Sequence, residues 1–226
     1  MKKQHWLLLF GVALIANISA GLLKNQVLDY LSKPLIVFSL VGYFLIQTKN
    51  VGSSLRKWMI VALFFSWAGD VLLLFQGNGP MFFLLGLVCF LLTHIIYGLN
   101  FSAVAKKEKI RRNLFFTVLP VLFGIFFAKF LAPHLGNMKW PVFIYTGVII
   151  AMLAAAIPLV YIKNKTAGYF IAAGALFFVA SDSVLALNKF YRPFEIAGMI
   201  IMLTYGLAQL FIVEGAGRYI SFDPKE

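Results

Sequence analysis

Charge is scarce in this sequence. Of 226 residues 12% are charged, and only 8 are Asp or Glu. Soluble domains carry about a quarter charged residues, so a water-exposed globule is excluded. Cysteine is scarcer still. Cys89 stands alone in an apolar run, which rules out a disulfide and a thiolate metal cluster. Long polar stretches are missing too, and no connection between apolar runs has room for a separate soluble domain. What fills the chain is hydrophobic residues, 62% of the total, with 24 Phe among them.

Those residues fall into eight runs of the length needed to cross a bilayer, at 6–23, 34–48, 58–75, 81–102, 114–131, 141–162, 167–188 and 194–214. The expected fold class is all-α: a polytopic membrane protein forming one membrane domain over 1–226, multi-pass in the cell membrane. The first run follows Lys2 and Lys3 and ends in small residues, as a signal peptide does. It is read here as a retained first helix. Pro34 is expected in the first turn of the second helix, where its missing N–H is harmless. Pro120 and Pro158 are expected to kink the fifth and sixth.

The net charge of +12 raises the question of nucleic acid, but the basic residues sit in short clusters between apolar runs. A nucleic-acid domain needs a soluble basic face, so that partner is excluded. More than twice as many Lys and Arg fall on the amino-terminal side of the eight spans as on the other side. The strongest cluster, "KKEKIRR" from Lys106 to Arg112, lies on that majority side. Cytoplasmic loops carry such an excess, which places both termini in the cytoplasm. A faint internal echo accompanies this layout. Aligning Asp70 with Asp182 brings Phe65 onto Phe177, Ala68 onto Ala180 and Leu73 onto Leu185, a candidate 4+4 parallel repeat.

Against this background the polar residues inside the spans stand out. A carboxylate near the middle of a membrane helix costs about 2.5–3.5 kcal/mol on insertion scales. Asp70 in "SWAGDVLLLF" and Asp182 in "FFVASDSVLAL" each lie about 8–9 Å inside the outer end of their helices, at 1.5 Å per residue. Sharing a depth, they are expected to share a cavity. Ser66 lies one turn from Asp70, on the seam Ala62, Ser66, Gly69, Leu73. Asp182 lies on the seam Gly168, Ala172, Ala175, Val179, Ala186. Small residues along a seam permit close packing, so Asp182 is expected to face the bundle interior. His94 and Tyr97 share a face of the fourth helix, with Asn100 beyond; Tyr205 and Gln209 share a face of the eighth, with Thr204 alongside. Glu195 is expected to open the eighth helix and Glu214 to lie in solvent near its far end. Two Asp and one His make three metal ligands, but nothing in the spacing requires a metal or a cofactor.

Several segments together resemble the YhhN family of polytopic membrane proteins. They are "KP" at Lys33 and Pro34, "FSWAGDVLL" at 65–73, "FLLGLVCFLLTHIIY" at 83–97, "GALFFVASDSVLAL" at 174–187 and "TYGLAQLFIVEG" at 204–215. The resemblance implies hydrolysis of the vinyl ether bond of a lysoplasmalogen, releasing a fatty aldehyde and a glycerophospho-head-group. The residues suit that chemistry on their own terms. A vinyl ether is cleaved by protonating its β-carbon, and water captures the resulting oxocarbenium ion. That requires a carboxylic acid still protonated near neutral pH and a neighbouring carboxylate, a division of labour that buried carboxyl pairs provide. Glycosidases use a similar pair. Asp70 and Asp182 are the expected catalytic pair. His94, Tyr97, Tyr205, Gln209 and Ser66 are expected to orient water or the glycerol backbone, and Lys33 to meet the phosphate of a lysophospholipid substrate.

A different class fits the same pattern. Intramembrane carboxylates with a histidine are also the parts of a proton relay, so a proton-coupled transporter of small solutes or lipids is the alternative. A third is a lipid-binding or structural membrane protein without turnover. Head-group and oligomeric state are left open by the sequence.

Overall fold

The computed structural model describes residues 2–110 and 114–222. Arg111 and Arg112 of the basic cluster lie outside the described residues. Eight α-helices follow in order: α1 Lys3–Leu23, α2 Gln26–Gln47, α3 Ser54–Leu74, α4 Pro80–Lys107, α5 Leu114–Leu131, α6 Lys139–Ala156, α7 Lys165–Ala186 and α8 Ala197–Phe222. Among the described residues there is no strand, and each of the eight is long and apolar enough to cross a membrane, α5 and α6 together with the 3₁₀ turns that follow them, α6 with the one that precedes it, and α7 with the π-helical turn after it.

Local chemistry sets the ends. Asn25, Ser53 and Asn164 cap α2, α3 and α7 by accepting from the backbone N–H groups of Leu28, Arg56 and Ala167 at 3.1, 3.3 and 3.1 Å. Lys24 closes α1 in the left-handed conformation, φ 52°. Three expectations about the ends are corrected. With Asn25 as its cap, α2 starts well before Pro34, which therefore lies inside the helix. Pro158 ends α6 and does not kink it. Proline has no N–H to give to the carbonyl four residues back, and the chain tightens into a 3₁₀ turn over Ile157–Tyr161. Glu195 precedes α8 in a turn and does not open it.

The main buried core draws on α1–α4 and α6–α8. The buried residues of α5 contribute nothing to it, and Leu131 instead joins a small satellite with Leu135 and Val142. Most of α5 faces outward, with Phe115, Leu119, Leu122 and Phe126 exposed, as suits a helix that leans on α6 with its other sides in lipid. The most extensive packing between two helices is that of α7 against α8. Gly174 lies so near α8 that an added Cβ would sit 2.8 Å from the Ile212 nitrogen and 2.9 Å from the Ala208 carbonyl oxygen. Gly215 makes the same approach to Ala167 and Ile171.

Glu214 is buried, against the expectation that it is solvated. Tyr43 of α2 donates to its carboxylate, Arg218 Nε donates at 2.5 Å, and Lys3 Nζ of α1 lies 3.9 Å away. Three surrounding groups satisfy the charge, so burial carries no unpaired carboxylate.

Candidate functional site

With these helix ends, each aspartate sits four residues before the last residue of its helix, Asp70 in α3 and Asp182 in α7. Both line one cavity of about 440 Å³ at the end of the bundle where α1, α3 and α7 finish and α2, α4 and α8 begin. That is the end assigned to the outside by the charge pattern. Lys33 lines the same cavity, and so does Tyr205.

The two carboxylates are held by different partners. Asp70, 2% exposed, accepts from the Tyr205 hydroxyl at 2.7 Å. Behind this pair lies a closed hydrogen-bond network. Gln209 donates to Ser66 at 2.9 Å and to Tyr205 at 3.4 Å, while its carbonyl oxygen accepts from Tyr97 at 2.9 Å. Ser66 passes its hydrogen to Thr93, which bonds the Ala62 and Cys89 carbonyls. Tyr97, Gln209 and Ser66 are therefore buried beneath Asp70. Buried polar groups in lipid need such partners, and here nearly every one has them.

Asp182 is the more open of the two, with 17% of its side chain exposed. Its Oδ2 accepts from the Tyr145 hydroxyl at 2.5 Å and lies 3.2 Å from His94 Nε2, which is also 2.9 Å from Tyr145. The tautomer with hydrogen on Nε2 serves both contacts. It leaves Nδ1, buried and unpartnered, as a lone pair facing the core.

An aromatic wedge separates the two groups. Phe178 packs edge-on against His94 at 4.6 Å and against Tyr205 at 5.6 Å, and Phe90 lies against both Phe178 and Tyr205. His94 and Tyr97, three residues apart on α4, thus serve opposite sides of the site. Among the described residues, no three His, Cys, Asp or Glu converge as a metal site would require.

Sequence reasoning missed Tyr145. It lies within "VFIYTGVII", an apolar stretch in which a lone tyrosine is unremarkable, and no spacing within one helix links it to Asp182. Lys24 and Lys189 also line the cavity beside Lys33. Asn100 is buried without joining either network, and its amide nitrogen has no partner.

The model of the YhhN family matches residues 28–216, which includes both aspartates and all their partners. The chain belongs to the YhhN family. Among curated relatives of this YhhN chain, "Lysoplasmalogenase TMEM86A" of Bos taurus is 32% identical, the match covering 70% of this chain and 64% of that protein. The Homo sapiens protein of the same name is 31% identical over the same shares. A "Lysoplasmalogenase" of Mycobacterium tuberculosis (strain CDC 1551 / Oshkosh) is 28% identical, covering 71% of this chain and 60% of that one. The chain spans less than two thirds of the length of these relatives. No solved structure matches it.

Proposed function

We propose that this protein is an intramembrane hydrolase that cleaves the vinyl ether bond of lysoplasmalogen-type lysophospholipids, with Asp70 and Asp182 as an acid/base pair. The observation that carries the reading is that carboxylates from α3 and α7 line one cavity in a member of the YhhN family whose relatives are named lysoplasmalogenases. The whole chain acts as one membrane domain, with the cavity mouth on the outer face of the cell membrane and both termini in the cytoplasm.

In this chemistry one carboxylic acid gives its proton to the β-carbon of the alkenyl chain. The ether oxygen stabilises the cation formed on the α-carbon. Water then adds there, the second carboxylate takes its proton, and a hemiacetal results. As the hemiacetal collapses, its hydroxyl proton passes to the first aspartate and the proton held by the second goes to the leaving oxygen. Fatty aldehyde and glycerophospho-alcohol are released, and both carboxyl groups return to their starting states. Each aspartate has a hydrogen-bonding hydroxyl beside it, Tyr205 for Asp70 and Tyr145 for Asp182, and these fix the carboxyl planes. Preorganisation of this kind lowers the barrier without the cost of reorienting water. His94 positions Asp182 through the same oxygen. Gln209, Tyr97 and Ser66 position Tyr205.

The transporter alternative needs a path that opens to each side in turn. The polar lining of the cavity is confined to one end of the bundle, with Tyr97, Gln209 and Phe178 packed beneath Asp70. A slot adjoins it at Asp182, and its mainly apolar walls do not suit passage of a polar solute.

The test uses purified protein in detergent with lysoplasmenyl-ethanolamine, measuring fatty aldehyde. Wild-type protein is expected to release it, and Asp70→Asn and Asp182→Asn are each expected to lose on the order of 10²–10⁴-fold in rate while keeping the wild-type melting profile. Aldehyde release undiminished in both variants would overturn the two-carboxylate mechanism.

A further inference from the structure

Asp182 and Leu185 border two spaces of opposite character. On one side is the polar cavity, whose lining carries Lys24, Lys33 and Lys189 with Asn25, Gln76 and Asn188, and Asp29, whose carboxylate accepts from Asn17 at 2.7 Å. On the other is a narrow apolar slot of about 50 Å³ between α4, α5, α6 and α7, walled by Phe83, Leu87, Phe123, Phe127 and Phe190. Thr146 and Ile150 line both this slot and a groove of about 890 Å³ between α4, α5 and α6. The groove follows α6 from Phe143 to Ala155, about 18 Å at 1.5 Å per residue, and reaches Pro158 in the turn beyond. Its floor is made of small residues, among them Gly124, Ala128, Gly147, Ala151 and Ala154. Its lysine, Lys106, stands at the end away from the aspartates.

Polar cavity, aromatic slot and small-residue groove adjoin in turn through shared wall residues, and the chemistry of the series changes at Asp182. An amphiphile with a compact anionic head and a single long hydrocarbon chain has the same division. The three rim lysines complement a phosphate. The slot is small, about 50 Å³, and its walls are mainly apolar, which suits a single hydrocarbon chain. We infer that the slot and the α4–α5–α6 groove bind the hydrocarbon chain of a lysophospholipid whose phosphate lies beneath Lys24, Lys33 and Lys189. The inference rests on the lysophospholipid reading above and adds where each part of the substrate lies. It puts the first carbons of the chain, where a vinyl ether sits, beside Asp182, and it gives α5 a task that its position outside the main core does not otherwise explain.

Photolabelling tests this without needing turnover. The probe is a saturated alkyl-ether lysophosphoethanolamine with a diazirine at the chain end, which contains no vinyl ether. Labelled residues are expected in the α5 and α6 stretches that line the groove, between Thr117 and Ala128 and between Phe143 and Ala155. Labels confined to the outer rim or to the outward faces of the other helices would overturn the inference. Gly147→Phe fills the groove, and because an added Cβ at Gly147 meets nothing within 4 Å, the helix has room for it. This variant is expected to lose about tenfold or more of groove labelling, and its ratio of long-chain to short-chain turnover is expected to fall similarly. Equal labelling in the variant and the wild type would count against the groove.

Competition identifies the head-group contact. An alkyl lysophosphoethanolamine is expected to displace the probe better than the alkylglycerol that lacks phosphate, and the advantage should vanish when Lys24→Gln and Lys189→Gln are combined. Inorganic phosphate alone is expected not to compete; displacement by it would show a free-anion site and overturn the lipid assignment. Groove labelling in a protein that releases no aldehyde would uphold the chain site while the hydrolase reading failed, so the two are told apart.

Discussion

Tyr145 of α6 donates its hydroxyl hydrogen to Asp182 of α7 at 2.5 Å, with His94 of α4 touching both groups. Asp70 has a similar partner in Tyr205 of α8, at 2.7 Å. Each carboxylate therefore has a phenol locking it in place, and in each case the phenol comes from a different helix.

Removing that lock has a defined outcome. Tyr145→Phe keeps the ring and its edge contact with His94 and deletes only the donor. Aldehyde release is expected to fall by about 10–100-fold, more in kcat than in KM, because the group positions the carboxylate and does not anchor the lipid. Steady-state kinetics at saturating substrate checks this, and an effect confined to KM would reassign Tyr145 to binding.

The two sides of the site are expected to act through separate networks, since Phe178 and Phe90 stand between them. Combining Tyr145→Phe with Gln209→Leu should give rate losses that add within about 0.5 kcal/mol, as for independent sites. A double-mutant cycle with a larger interaction energy would show that the aromatic wedge transmits between them.

Gln209→Leu also has a stability consequence. It leaves Tyr97 without its acceptor and Ser66 without its donor in a buried place. The expected loss is about 1–3 kcal/mol, near the upper end of what interhelical hydrogen bonds contribute in membranes. Denaturation in mixed micelles measures it.

Packing yields a contrast within one residue type. Gly174→Ala drives a methyl against the backbone of α8, and Gly168→Ala drives one into the Leu159 carbonyl. Rigid backbone cannot yield as a side chain does, so each is expected to destabilise by about 2 kcal/mol or more. Gly11→Ala and Gly198→Ala, where nothing lies within 4 Å of the added carbon, are expected to be neutral or slightly stabilising. Thermal unfolding of the four variants in one detergent makes the comparison.

Glu214→Gln tests the charged cluster at the far end. Tyr43, Arg218 and Lys3 lose a shared anion, and the melting temperature is expected to fall while aldehyde release at moderate temperature is unchanged. A parallel loss of activity would couple this end of the bundle to the cavity.

The eight spans and the two aspartates were legible in the sequence because membrane helices obey a one-dimensional rule: apolar length sets the span, and a carboxylate within it has few innocent explanations. The observed helix ends put Asp70 and Asp182 each four residues, about 6 Å, from the end and not 8–9 Å, but the two shifted together, so their shared depth held. The family was legible for the same reason, since its motifs are contiguous. Tyr145 was not, because its meaning lies in a contact between α6 and α7 that spacing along either helix does not encode. Nor was the burial of Glu214, which depends on Tyr43 and Lys3 arriving from α2 and α1. That His94 and Tyr97 serve opposite networks, that Lys24 and Lys189 join Lys33 at one rim, and that α5 stands aside to leave a groove are all decided by how the helices pack. In lipid the hydrophobic effect does not choose partners for a helix; close approach at small residues and hydrogen bonds between polar side chains do, and both are properties of pairs of helices.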